Sequence, residues 1–357
     1  MAKANEVKEL DCGADVTSGV KLVLRTRLAE MCALGNRATD WSNIEGVHDM
    51  RVASRRLRSA MKDFELFLRG KSGLRGLSAE VRKVADALGD VRDQDVAIAA
   101  LEKLSDKAPA DAREGIERIV AERKRNRNAS RESLGALITE SNLAGMGARW
   151  NAALEKLSPS RHLKSNFKHA ENSRAELSFG NAGRIIITRR WDELDELSSS
   201  LFNPFKVKPL HDMRIAAKRL RYALELFSQC RGDAFASFAK DVADMQSALG
   251  ELHDCDVWIK WFGERLRVHA SDDGSEDVSA ESPGIRKENR HATVWLMRHF
   301  TDERTKQYRA ALAHWNKWQL SGFGKKLRAQ LDAESSSSEV SGQDSGATKV
   351  QAAKVIN

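Results

Sequence analysis

Wound as a helix at about 100° per residue, the segment from Val47 to Phe64 separates its apolar and basic positions. Met50, Ala53, Leu57, Ala60, Met61 and Phe64 fall on one side. On the other, His48, Arg51, Arg55, Arg58 and Lys62 recur at steps of 3, 4, 3 and 4. They form a stripe about 80° wide, so one face of the predicted helix is buried and the other faces water.

The pattern occurs twice. VHDMRVASRRLRSAMKDFELF, from Val47, returns as LHDMRIAAKRLRYALELF, from Leu210, at a shift of 163 residues. LGDVRDQDV, from Leu88, returns as LGELHDCDV, from Leu249, at a shift of 161. In the second copy His211, Arg214, Lys218 and Arg221 oppose Met213, Ala216, Leu220, Ala223 and Phe227. KLVLRTRLAEM from Lys21 and RIIITRRWDEL from Arg184 supply a first helix ahead of each block. ERKRNRNASRESLGAL from Glu122 has a looser counterpart in DERTKQYRAALAHW from Asp302. The chain is therefore expected to be all-α, with four helices in each of two halves, 17–157 and 184–322.

Between them, 158–183 carries Ser, Asn, Pro and Gly and reads as a linker. Residues 271–284 hold five acids (Asp272, Asp273, Glu276, Asp277 and Glu281) and no base. This insertion, the start at 1–16 and the Ser/Gly-rich tail at 333–357 bury too little apolar area to offset ordering and are expected to be flexible.

Composition sharpens the class. Five prolines, 6% aromatics and 31% charged residues in 357 favour helices over sheets. A net charge of +8 draws anionic partners. The four cysteines, Cys12, Cys32, Cys230 and Cys255, form no CxxC pair, so neither a zinc ribbon nor a dense disulfide framework is expected and a reducing cytoplasm fits best. No signal-peptide core and no bilayer-length apolar run is present, so a soluble cytoplasmic protein without membrane partners is expected.

A basic run taken singly is an ordinary solvated face. Here the same stripe is kept twice with almost no interleaved acids, and like charges at these spacings repel. An external anion relieves that repulsion, and phosphate suits the planar fork of Arg and the point charge of Lys. Rows of bases roughly 5 Å apart suit a polymer of phosphates better than one small anion. His48 and His211 open the stripes and are assigned to anion contact, with affinity expected to depend modestly on pH. The DxD pairs Asp93/Asp95 and Asp254/Asp256 could align arginines, approach a helix start or hold a divalent ion; the arginine partner ranks first, and no metal is assigned.

HDMRVASRRLRSAMKDF and HDMRIAAKRLRYALELF, each followed by LG and a DxD, resemble the signature of the CHAD family, the conserved histidine α-helical domain. The resemblance spans roughly Thr17 to Gly322. It implies two four-helix bundles related by a pseudo-twofold axis, with a central basic groove or pore that binds inorganic polyphosphate. Carried over position by position, it assigns the contacts to His48, Arg51, Arg55, Arg56, Arg58 and Lys62 and to His211, Arg214, Lys218, Arg219 and Arg221. Glu225 departs from the stripe at the place of Lys62, and Tyr222 replaces Ser59. Arg25, Arg27, Arg123, Lys124, Arg127, Arg189 and Arg190 are further candidates. The chain lacks the ExExK pattern of the triphosphate-tunnel enzymes to which family members are fused, so it resembles the stand-alone form.

The expectation is a polyphosphate-binding protein, targeted to polyphosphate granules, without cofactor or catalytic residues. Two alternatives stand beside it. One is non-specific nucleic-acid binding, against which the stripes lack interleaved aromatics apart from Tyr222. The other reads the His-Asp dipeptides 48–49, 211–212 and 253–254 as an HD-type metal-dependent phosphohydrolase, which needs further convergent ligands.

Overall fold

The computed structural model describes residues 6–69, 72–159, 178–272 and 283–340. Eleven α-helices account for nearly all of them. The first half contains α1 (Val16–Ala33), the short α2 (Gly35–Ala38), α3 (Ile44–Asp63), α4 (Ser72–Ser105), α5 (Ala110–Leu137) and α6 (Glu140–Glu155). The second contains α7 (Phe179–Glu196), α8 (Val207–Arg231), α9 (Asp233–Asp272), α10 (Pro283–Ser321) and α11 (Phe323–Val340). Among the described residues, a short antiparallel pairing of β1 (Leu68–Arg69) with β2 (Ser158–Pro159) and an isolated antiparallel bridge between Asp15 and Ser178 interrupt the helical pattern.

Helix starts follow local chemistry. Asp15 caps α1 by accepting from the amides of Thr17 and Ser18, and Asn43 caps α3 through the Glu45 amide. Thr139 and Ser178 serve α6 and α7 in the same way. Each cap satisfies an amide that has no partner within its helix.

The apolar faces read from the repeat are buried. Met50, Ala53, Leu57, Ala60 and Phe64 of the first copy and Met213, Ala216, Leu220, Ala223 and Phe227 of the second are core residues, while Met61 packs partly buried at the edge. They do not form one core per half. Phe64, Phe179 and Phe227, from both halves, meet with ring centroids 5.0 to 6.2 Å apart. A second cluster joins Ile98, Leu101, Ile116 and Ile119 of α4 and α5 to Phe262, Leu296 and Phe300 of α9 and α10.

Three expectations need correction. Each half has a fifth long helix, α6 or α11, which the repeated blocks did not include. The start is held from residue 6 onward. Val7 is buried and its amide donates to Gln229 Oε1, and Gly180 and Phe179 donate to the carbonyls of Cys12 and Ala14. Thirdly, Cys12 and Cys230 form a disulfide, with Cα atoms 5.5 Å apart and 218 residues between them in sequence. Spacing alone could not reveal this pair, and it sits uneasily with a reducing compartment.

Of the segments expected to be flexible, 1–5 in the start, 273–282 in the acidic insertion and 341–357 in the tail lie outside the described residues, as do 160–177 of the linker. The described parts are helical at their edges: α9 runs to Asp272, α10 begins at Pro283 and α11 continues to Val340. No described helix is long and apolar enough to cross a membrane.

Candidate functional site

Helices α3 and α8 turn their basic stripes toward each other. Arg55 of α3 has its pKa lowered first by burial and then by the nearby charges of Arg51 and Arg221, against the pull of Tyr222 and Asp93. Burial also lowers Arg214 of α8, with Arg55 adding to it and Asp254 and Asp93 opposing. Lys218 is pushed down to about 7 by burial and by Arg55, Arg214, Arg219 and Arg51. Side chains from two stripes 163 residues apart therefore lie close enough to act on one another's charge, and the half-buried cluster they form is called the recess below.

The DxD pairs divide their labour. The first aspartate of each faces the recess. Asp93 pairs with Arg51 at 3.4 Å, and Asp254 has its pKa raised by burial and by Asp93 while Arg214, Arg51 and Arg55 pull it down. The second is buried in an ion pair behind: Asp95 with Arg127 and Arg131 at 3.5 and 3.7 Å, and Asp256 with Arg304 at 2.5 Å. These are the arginine partners ranked first from sequence. The glycine of each Leu-Gly lies beside an arginine of the recess, since a Cβ at Gly89 or Gly250 would sit 3.8 Å from Nε of Arg51 or Arg214.

The two histidines meet separate sets of charges. Burial and Arg92 lower the His48 pKa, whereas burial and Arg214 lower that of His211. Each responds to charges of its own half. His211 Nδ1 lies 3.2 Å from His253 Nδ1, and burial with Arg214 pushes His253 down to about 4. His253 occupies the place of Arg92 in the repeat. One trio of potential metal ligands converges among the described residues, Glu45, His48 and Asp49, all on α3.

The remaining sequence candidates, Lys62 apart, sit in ion pairs or stacks. Arg56 reaches Glu225 at 3.9 Å, Arg221 reaches the same carboxylate at 3.5 Å, and Arg219 reaches Glu193 at 3.8 Å. Glu225, the departure from the stripe, thus joins the halves. Arg58 lies 3.9 Å from Asp86, Lys62 is exposed near Arg219 and Arg190, and Tyr222 is buried with Arg221 over its ring. Arg25 pairs with Glu155, Arg27 with Glu30, Lys124 with Glu102 and Arg189 with Glu193. Arg190 is buried against Asp63 at 2.5 Å. Arg123 stacks over Trp258 and Trp261 at the second cluster, outside the recess.

Sequence reasoning did not assign Arg92 and His253, although both occupy the fifth place of the repeated LG block. Arg131 and Arg304 carried no signal, because they pair with their aspartates from helices of looser similarity.

The family model of the CHAD domain matches residues 22–263. Among solved structures, the fold is similar to the crystal structure of the CHAD domain from the plant Ricinus communis, with a TM-score of 0.62 and 19% identity over 88% of this chain and 96% of that one. It is also similar to PptA from Streptomyces chartreusis, with a TM-score of 0.56 and 14% identity over 85% of this chain and 100% of that one. No curated protein matches the sequence.

Proposed function

We propose that this chain, which belongs to the CHAD domain family, is a non-catalytic binder of inorganic polyphosphate that takes the polymer into the recess between α3 and α8. One observation carries the reading. Arg55, Arg214 and Lys218 are desolvated together, yet they make no hydrogen bond or ion pair within the described residues. Two other cations withdrawn from water have carboxylate partners, Arg190 with Asp63 and Arg304 with Asp256. Holding Lys218 charged at neutral pH costs several kcal/mol, and an entering anion removes that cost.

Arg51, Arg55, Arg214 and Lys218 form the centre of this site, with His48 and His211 at its ends. In this reading the recess is the basic groove of the family. A linear polyphosphate matches a row of cations without needing base or sugar contacts. Binding of this kind would hold the protein on polyphosphate granules.

The test is a titration of Arg55→Ala/Lys218→Ala with long-chain polyphosphate, with orthophosphate assayed in the same tubes. Charge-assisted hydrogen bonds are worth ~1.5–3 kcal/mol each, so the double variant should bind about a hundredfold more weakly or worse. Its thermal midpoint should not fall, because two repelling buried cations have gone. Unchanged affinity in the folded variant, or phosphate release by the wild type, would refute the proposal.

A further inference from the structure

Just ahead of the second stripe the chain turns two aromatic rings into water. Phe202, the last residue of the 3-10 turn Leu197–Phe202, is 71% exposed, and Phe205, between that turn and α8, is 88% exposed. Large apolar side chains at such exposure are unfavourable in isolation, and two within four residues of one held segment suit a surface that meets a partner.

The segment is held firmly. Tyr308 Oη donates to the Leu201 carbonyl at 2.5 Å, and Arg304 Nη2 donates to the Pro204 carbonyl at 2.7 Å. The same guanidinium donates to Asp256 Oδ1, so the rings are tied to the helix that contributes Asp254 to the recess. Lys206 and Lys208 follow directly. Lys208 lies three residues before His211, and its charge helps to lower the His211 pKa, which places it on the row that continues through Arg214 and Lys218. Only about one helical turn, ~5.4 Å, separates the first residue of α8 from His211.

The first half offers no such end. At the same shift of 163, Thr39, Ser42, Asn43 and Glu45 stand where the second half has Phe202, Phe205, Lys206 and Lys208. Each histidine has an aspartate beside it, Asp49 or Asp212, but one end adds Glu45 while the other adds two rings and two lysines, of which Lys208 donates to Asp212 at 2.7 Å.

We infer that the Phe202–Lys208 end binds single-stranded nucleic acid, with bases stacked on Phe202 and Phe205 and phosphates on Lys206, Lys208 and the row from His211 to Lys218. The phosphate contacts rest on the function proposed above; the aromatic pair is independent of it. Inorganic polyphosphate has no planar group to stack on a phenyl ring, whereas every base does. A bilayer could receive the two rings but could not follow them into a recess where Arg55, Arg214 and Lys218 are desolvated. A flexible single strand can do both.

The experiment uses the full chain and Phe202→Ala/Phe205→Ala, whose exposed positions leave the fold intact. Both proteins are titrated with an oligothymidylate of about 15 residues and an abasic strand of equal length. Long-chain polyphosphate and vesicles of phosphatidylserine and phosphatidylcholine are titrated in parallel. The wild type should prefer thymidylate to the abasic strand by about tenfold, the variant should bind both strands alike, and the two proteins should bind polyphosphate equally. The inference is overturned if the variant keeps full thymidylate affinity, if the wild type does not distinguish the two strands, or if the substitutions abolish only vesicle binding. Thymidylate preference without polyphosphate binding would remove the proposed function and leave this inference standing.

Discussion

Lys218 makes the recess sensitive to pH in a calculable direction. In the free protein its pKa is about 7, set by burial and by Arg55, Arg214, Arg219 and Arg51, so half the molecules carry a neutral amine near neutrality. A bound polyanion favours the ammonium and returns the pKa toward its ordinary value of about 10.4. Binding above neutrality must then take up a proton, and affinity falls as pH rises. With those two values the fall between about pH 7 and pH 9 is on the order of 50-fold, against less than about twofold between pH 6 and 7. The histidines act on the other side. His48, His211 and His253 all have lowered values, so their protonation strengthens binding only on the acid side of the usual histidine range.

The assay is a polyphosphate titration at constant ionic strength across that range, for the wild type and for Lys218→Arg. Arginine stays charged throughout, so its profile should be flat between pH 7 and 9. A flat profile in the wild type, or the same fall in Lys218→Arg, would refute the reasoning. The free protein should show the opposite trend. Because the folded pKa lies below the unfolded one, the unfolded chain binds more protons between about pH 7 and 10.4, and the contribution of Lys218 to stability rises with pH across that window.

Two further outcomes test the fold that holds the site. A Cβ at Gly46 would lie 1.9 Å from the carbonyl oxygen of Arg37, so Gly46→Ala must push α2 away from the start of α3 and should cost about 1–3 kcal/mol in urea unfolding. Gly147→Ala, which meets nothing within 4 Å, should be neutral or stabilising by up to ~1 kcal/mol. Unreduced, denatured protein should titrate two thiols, from Cys32 and Cys255, and four after reduction; four before reduction would contradict the Cys12–Cys230 bond.

The helices and their buried faces were legible because a period of 3.6 residues is written directly into the chain, as Met50, Leu57 and Phe64 show. The arginine role of the DxD pairs was legible in kind. Helical phase alone cannot say that Arg55 and Lys218 share a recess, since it fixes which way a side chain points and not what lies opposite. The held start was hidden for a related reason: Val7 and Cys12 belong to no periodic segment, and their partners lie more than 200 residues away. Phe202 and Phe205 were visible as residues, but loop phenylalanines commonly fold back onto a core. Their exposure depends on the clamp from Arg304 and Tyr308.

Because both apolar clusters and the basic recess draw side chains from both halves, neither half is a self-sufficient unit. A single-copy ancestor would have exposed half of each cluster and half of a site, and would have needed a second molecule of itself in trans. In a symmetric dimer of one such copy every substitution would appear twice. A chain that carries both copies is free of that constraint, and the differences that separate Lys62 from Glu225, Arg92 from His253 and Ser42 from Phe205 give its two stripes distinct chemistry.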